Sequence, residues 1–513
     1  MKTSIDNITD VPVINLVLDT INKNKQALVF VNTKKSAEKL AEEIAKKIKI
    51  NDNKLNELSL ETLKALSKPT KQCERLSKIL KKGIAFHHAG LHHAQKELIE
   101  DNFRNGNIRI ITCTPTLAYG LDLPAFRAII KDLKRYSIHG YSWIPVLEYH
   151  QQAGRAGRPK FDTFGEAICI ASTKPEKKKI IRKFIKGKPE EIYSKLAVEP
   201  VLRTYLLSLI SANFVNNKKS IMEFFGKTFY AYQFKDLNEL EKIITKMLGL
   251  LEEWEFIRTK EDFVSADELK DESIKATILG KRIAELYIDP LTAFFIITCL
   301  RKASAKRIDF SFLQMISHTL EIRPLLKTRM KEYDLIQEKL IEYEDYLLDN
   351  EPNIYDPEYE DFTNSVKTAL FFYDWVNEKD EDYLLENYNI RPGEIKSKLD
   401  IADWLLYCAE ELSRILQFQQ IIKDILRLRL RLKYGAKEEL LTLLKLKNIG
   451  RVRARNLYKN RIKDIADLKK ADITRLVQIL GKETALSVKE QLGQKIPEVK
   501  ENKKKGQISL LDY

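Results

Sequence analysis

Five short runs rich in β-branched and apolar residues recur along the first third of the chain, at 27–32, 84–88, 108–113, 127–132 and 166–171. They alternate with helical stretches, of which 35–48 places apolar residues at helical spacing and 51–82 continues helical but polar. Strands separated by helices cannot be joined by tight hairpins, so this order predicts a parallel α/β sheet between about Val11 and Lys186. In such sheets functional residues sit on loops leaving the carboxyl ends of strands, where 112–122 falls.

The chain is 513 residues long, too long for one core, and implies three to five domains. Its formal charge of +15 favours a polyanionic partner, with nucleic acid the leading candidate. Cys73, Cys113, Cys169, Cys299 and Cys408 lie far apart, without zinc spacing or a disulfide pattern. His87, His88, His92 and His93 come with no cysteine or convincing carboxylate ligand, so no metal site is expected. No apolar run approaches the roughly 18 residues of a membrane helix. These features are expected of a soluble chain in a reducing, nucleoid-containing cytoplasm.

The chemistry concentrates between Ile110 and Pro159. Gln151-Gln152-Ala153-Gly154-Arg155-Ala156-Gly157-Arg158-Pro159 sets two arginines three apart among small residues that let another surface approach. That suits contact with a densely charged group such as a nucleotide γ-phosphate. Upstream stand Thr112-Cys113-Thr114-Pro115-Thr116-Leu117-Ala118 and Gly120-Leu121-Asp122. These blocks resemble motifs V and VI of superfamily 2 helicases, in the form found in the Hjm-type archaeal DNA-repair helicases of the Ski-like branch. Ala27-Leu28-Val29-Phe30-Val31-Asn32 and Phe86-His87-His88-Ala89-Gly90-Leu91 resemble that family's motifs IV and IVa.

The resemblance implies a multidomain α/β plus α architecture. It comprises a second RecA-like domain over 1–188, a winged helix over 189–287, a helical bundle with a ratchet helix over 288–435, a helix-hairpin-helix over 436–495 and a tail over 496–513. It also implies roles. Arg155 and Arg158 would meet the γ-phosphate of ATP with Mg²⁺, Gln151 would arrange nucleotide or water, and Gly120 and Asp122 would link nucleotide state to DNA grip, with Thr112 on the DNA side. The family's insertion between motifs V and VI is a β-hairpin that splits the duplex. Here 127–146 holds Lys131, Lys134, Arg135, Tyr136, Tyr141 and Trp143 around Gly140, an aromatic and basic hairpin suited to breaking base stacking, with Arg135 and Tyr136 as DNA contacts. An ordinary hairpin is the alternative.

Further on, helices near 202–212 and 237–254 and strand-like 256–258 and 263–266 resemble a winged helix. Gly226-Lys227-Thr228 mimics the end of a phosphate loop, but such a loop needs glycine at position 221, which is Ile221. The acidic stretch 332–361 reads as a solvated face. The long helix expected over 394–419 carries Lys396, Lys398 and Trp404 and resembles the family's ratchet helix, on which a tryptophan stacks on a base; a core tryptophan is the alternative. Residues 436–494 hold 14 Lys/Arg against 7 Asp/Glu. Leu446-Lys447-Asn448-Ile449-Gly450-Arg451-Val452-Arg453-Ala454-Arg455 looks like a helix-hairpin-helix, with Gly450 permitting a tight turn and Arg451, Arg453 and Arg455 near phosphate. After lysine-rich 500–506, Gln507, Leu510 and Tyr513 have the spacing of a sliding-clamp-binding peptide.

No Gly-x-x-x-x-Gly-Lys-Ser/Thr and no Asp-Glu-x-His/Asp after an apolar strand occurs in these 513 residues. The expectation is the C-terminal half of a split ATP-dependent DNA helicase, inactive alone and completed by a separate ATP-binding subunit. An ATP-independent DNA-binding adaptor that recruits the sliding clamp, or a piece of a longer protein, are the other readings.

Overall fold

The computed structural model describes residues 5–49, 52–66, 69–119, 122–137, 140–158, 162–235, 237–261, 272–303 and 306–494. Two units are distinct: residues 1–194 with 381–398, and residues 195–380 with 399–513.

In the first unit, β1 (Ala27–Phe30), β2 (Ile84–His87), β3 (Ile110–Cys113) and β4 (Arg127–Ile130) are buried at every position. With β7 (Glu166–Cys169) they form one parallel sheet in the order β2-β3-β1-β4-β7. Runs without polar alternation are what a sheet covered on both faces requires. The flanking helices of this unit are α1 (Pro12–Asn22), α2 (Lys34–Ala45), α3 (Asn53–Lys64), α4 (Lys71–Leu80), α5 (His93–Arg104), α6 (Val146–Ala153) and α7 (Lys174–Ile180). Thr33, Asp52, Thr70 and Thr173 cap α2, α3, α4 and α7 by accepting backbone N–H bonds. The stretch expected as one polar helix is therefore two, because Pro69 and the Thr70 cap start α4 afresh. The antiparallel hairpin β5 (Lys134–Ser137) and β6 (Gly140–Trp143) stands apart from the sheet, pairing Arg135 with Ser142 and Tyr136 with Tyr141.

Arg127 is the one cation inside this sheet, 1% exposed. It donates to Leu16 O at 2.9 Å and Thr20 Oγ1 at 2.8 Å, and pairs with Asp19 and Glu166. A buried guanidinium persists only with such partners.

In the second unit, α8 (Glu199–Ser211), α9 (Lys218–Gly226), α10 (Phe229–Phe234), α11 (Asn238–Glu253), the antiparallel pair β8 (Ile257–Glu261) and β9 (Glu272–Ala276), and α12 (Ile278–Leu286) have the make-up of a winged helix. The second wing strand was expected at 263–266. That stretch lies outside the described residues, and the strand pairing with β8 is β9, whose Glu272-Ser273-Ile274-Lys275 offers one apolar side chain in four. The bundle follows as α13 (Pro290–Ala303), α14 (Asp309–Ser317), α15 (Tyr333–Tyr343) and α16 (Tyr359–Val376), then α17 (Glu381–Tyr388), α18 (Pro392–Ile415) and α19 (Gln419–Tyr434). Phe310, Phe312, Phe362, Phe371 and Phe372 are fully buried where α14 packs on α16. In the acidic stretch the carboxylates of Asp334, Glu338, Glu342, Glu344 and Asp345 are exposed, while Ile336 and Leu340 of α15 are buried. Helices α20 (Arg451–Lys459), α21 (Ile465–Lys470), α22 (Ile473–Leu480) and α23 (Lys482–Gln491) close around their own core, including Leu457, Leu468, Leu476 and Val488.

Helix α17 and the start of α18, up to Lys398, belong to the first unit. Gly393 N donates to Gly90 O at 3.1 Å, and a Cβ on Gly393 would lie 2.3 Å from Leu91 O, so only glycine allows this approach. Beside it, the carboxylate of Glu38 accepts from Gln72 at 2.8 Å, Arg75 at 2.6 Å, His88 at 3.2 Å and Arg391 at 3.1 Å. Burial alone would raise the Glu38 pKa; the His88 hydrogen bond and the Arg391 charge outweigh it and hold the carboxyl well below its ordinary value.

Candidate nucleotide and DNA interfaces

The carboxyl ends of β1 and β3, the start of α2, Tyr119, Arg135 and Glu148 surround a cavity of about 660 Å³. Its floor includes Thr114 and Thr116, whose hydroxyls are 2.9 Å apart. Lys34 and Lys35 also line it. Helix α6 begins beside this cavity and runs to the amino ends of β1 and β4, where the two arginines lie.

There Ala125 N donates to Arg155 O at 2.9 Å and Gly157 N to Ala125 O at 2.6 Å, so the arginine turn is zipped to the segment entering β4. Gly157 has φ 98°, and a Cβ on Gly165 would lie 2.3 Å from Gly157 N; both glycines are needed for this close turn. The Arg155 guanidinium donates to Ala118 O at 2.6 Å. Arg158 donates to Asp162 at 2.8 Å and to Gln26, and Lys25 meets the same Asp162 at 2.6 Å. The Arg158 hydrogen bond, with Lys25, holds the Asp162 carboxyl below its usual range despite burial. Gln151 and Asp122 are exposed. Gly120 lies outside the described residues.

Two residues expected at DNA are placed otherwise. Thr112 is fully buried, and its hydroxyl donates to Ala37 O at 2.8 Å, because the strand alternation turns it inward onto α2. Arg135, its side chain 42% exposed, is engaged by a carboxylate. Its Nη1 lies 3.0 and 2.9 Å from the two carboxylate oxygens of Glu148 on α6, a residue only 6% exposed. Burial raises the Glu148 pKa, and Arg135 opposes that rise. Tyr136 and Tyr141, 83% and 62% exposed with rings 5.1 Å apart, form the outer face of the hairpin. Lys134 instead bonds Glu176 and covers Trp143, whose ring packs on Phe184.

On α18 Lys396 is exposed, while burial lowers the pKa of Lys398. Trp404 is half-buried and donates from Nε1 to Leu286 O at 3.2 Å. In the helix-hairpin-helix, the left-handed position is Asn448 (φ 68°) rather than Gly450, which is extended at φ −89° with open space where a Cβ would stand. Arg455 is bound to Glu378 at 2.7 Å and Glu439 at 2.9 Å, and Arg451 covers the Trp375 ring at 4.4 Å. Both therefore hold α20 to neighbouring segments. Arg453 is exposed and donates to Asn448 O. Gln507, Leu510 and Tyr513 lie outside the described residues.

The histidines serve as structure. His87 bonds Glu100 at 2.9 Å, and His88 bonds Glu38. Among the described residues no group of three or more His, Cys, Asp or Glu is placed to hold a metal ion, and no single helix is long and apolar enough to cross a membrane. Sequence reasoning missed Glu38, Glu148, Glu190 and Asp162. Glu148 carried a faint signal, three residues before Gln151 on one helical turn.

Three family models match in succession: a helicase conserved C-terminal domain over residues 60–160, domain 4 of archaeal helicases over 310–435, and a SAM-like helix-hairpin-helix tandem over 440–494. The parallel sheet with its arginine turn, followed by these modules, defines an archaeal superfamily 2 helicase. The chain is 37% identical over 530 residues to the ATP-dependent DNA helicase Hel308 of Methanococcus vannielii, covering 96% of this chain and 68% of that protein. Hel308 of Pyrococcus horikoshii is 38% identical over 507 residues (97% and 68%), and that of Caldivirga maquilingensis 32% over 533 residues (98% and 69%). The chain belongs to the Hel308 family.

Proposed function

We propose that this chain is the DNA-gripping and arginine-supplying part of an ATP-dependent DNA helicase of the Hjm type that opens forked or branched DNA in repair and replication. The observation that carries the reading is the arginine turn, held by Ala125, Ala118 and Gly157 in a sheet whose family relatives are named as ATP-dependent DNA helicases. ATP would lie between this sheet and a first RecA-like domain bearing the phosphate loop, supplied in trans. Mg²⁺ would be held mainly by that companion. Arg155 and Arg158 would stabilise charge on the transferring γ-phosphoryl group, with Gln151 arranging nucleotide or water, and Asp122 and Gly120 relaying nucleotide state.

DNA would be held at several places along the chain. These are the exposed pair Tyr136 and Tyr141, Lys396 and Lys398, Trp404, and the open backbone at Gly450 with Arg453. The proposed domain limits are 1–188, 189–287, 288–435, 436–495 and 496–513. The Gln507, Leu510 and Tyr513 spacing supports a sliding clamp as partner, which is also what an ATP-independent adaptor would use.

The test is ATP hydrolysis by this chain, by the companion domain, and by their mixture, with and without forked DNA. Hydrolysis that requires the mixture and rises with DNA is expected. Robust hydrolysis by this chain alone, or an inactive mixture that nevertheless associates, would overturn the reading, the latter in favour of the adaptor.

A further inference from the structure

Helix α6 is gripped at three places along its length. At its amino end, Val146 N and Leu147 N donate to the two oxygens of Glu190 at 2.7 and 3.1 Å, so a carboxylate from the segment after α7 caps the helix. In the same first turn, buried Glu148 meets Arg135 of β5 at 3.0 and 2.9 Å and also accepts from Gln152 at 3.4 Å. At the carboxyl end the helix leads directly into the Arg155 turn, zipped to Ala125. The helix is about 12 Å long at 1.5 Å per residue, so the arginine turn and the hairpin are its two ends. Asn32 at the end of β1 also bonds the Lys134 carbonyl at the hairpin base, so Arg135 is the hairpin's side-chain link to α6 and Asn32 its link to the sheet.

We propose that Arg135 and Glu148 are a strut that makes α6 and the hairpin move as one piece, so that displacement of the arginine turn is delivered to Tyr136, the next residue along β5. This rests on the helicase reading for its consequence, but the strut itself is a property of this chain. Both are positioning residues, not catalytic ones. The pair resists separation because moving Arg135 away leaves the carboxylate of Glu148, 6% exposed, unpaired in a poor solvent, whereas Arg135 itself keeps a solvated edge. An arginine serving DNA phosphate would instead extend toward solvent beside the exposed tyrosines.

The experiment uses Glu148→Gln, Arg135→Gln and the double variant in the full chain. In the chain alone, hydrogen exchange is followed across 134–143 and 146–153. A strut requires that Glu148→Gln, a change on α6, speeds exchange in the hairpin by roughly threefold or more, and that Arg135→Gln speeds exchange in α6 likewise. With the companion domain, base pairs opened per ATP hydrolysed should fall by roughly 3- to 30-fold for Glu148→Gln, while its DNA-stimulated hydrolysis stays near wild type. The double variant should be no worse than either single one, because both remove the same link.

Hairpin exchange unchanged by Glu148→Gln would overturn the strut, whatever the helicase activity. So would additive effects with a lower salt slope of DNA binding for Arg135→Gln, the signature of a phosphate contact. If the wild-type mixture hydrolyses no ATP, the functional reading fails, and the exchange experiment still decides the strut.

Discussion

Arg391 donates from Nε to Glu38 at 3.1 Å, joining residues 353 positions apart within one unit. Glu38 is almost fully buried, so Glu38→Ala should destabilise the first unit by about 3–5 kcal/mol by leaving Arg391 and His88 without their anion. The sign of the pH dependence follows from the depressed carboxyl. Its contribution is complete above the unfolded carboxyl pKa near ~4.3 and declines only as pH falls below that toward the folded value. In urea melts, the gap between wild type and Glu38→Gln should be constant from neutral pH to about pH 5 and shrink below about pH 4. A gap independent of pH down to acid would show that Glu38 is not held as an anion.

Arg155 and Arg158 should separate on substitution. Arg155→Ala should cut DNA-stimulated turnover of the mixture by about 10³-fold or more with a smaller change in melting temperature than Arg158→Ala, because the bond it loses goes to a neutral backbone carbonyl, Ala118 O, and not to a carboxylate. Arg158→Ala should lose turnover and also stability, since it leaves buried Asp162 with Lys25 alone. Equal melting temperatures would show that Arg158 is not a structural tie.

Trp404→Ala should weaken single-stranded DNA binding by roughly 1–3 kcal/mol, and Trp404→Phe by less, because phenylalanine still offers a stacking face. Trp404→Phe also removes the Nε1 bond to Leu286 O. Loss of stability with unchanged DNA binding in both variants would make Trp404 a packing residue.

In the helix-hairpin-helix, Arg453→Ala should lower the salt slope of DNA binding by about one with no change in folding. Arg455→Ala should instead loosen α20, because it breaks the bonds to Glu378 and Glu439. Fluorescence-detected titrations at several salt concentrations, paired with thermal melts, separate the two.

Removing residues 507–513 should abolish capture of a sliding clamp and leave DNA affinity within about twofold, since peptide affinity rests on a few buried anchors. Clamp capture that survives the deletion would place the contact elsewhere.

The central strands were legible because each is apolar on both faces, and the structure trims them by one or two residues. The strand β9 went unread because its buried apolar residue, Ile274, stands among polar neighbours; the expected strand at 263–266 lies outside the described residues. Motif position placed Thr112 and Arg135 in the right neighbourhood but could not orient them. A strand's alternation decided the first, and a carboxylate on another element the second. The Glu38 cluster had no local signature, since one of its arginines, Arg75, comes from α4 and the other, Arg391, from the segment just before α18.

That last placement has a consequence for synthesis on the ribosome. The sheet's own residues are complete by Ser194, but Gly393 and Arg391 emerge roughly 190 residues later, which at about 5–20 residues per second is a delay of roughly 10–40 s. During that interval the buried face of Gly90 lacks its lid, and the Glu38 carboxylate has Arg75 but not yet Arg391. The nascent first unit can lay down its strands, yet it reaches its final stability only after most of the second unit has left the exit tunnel.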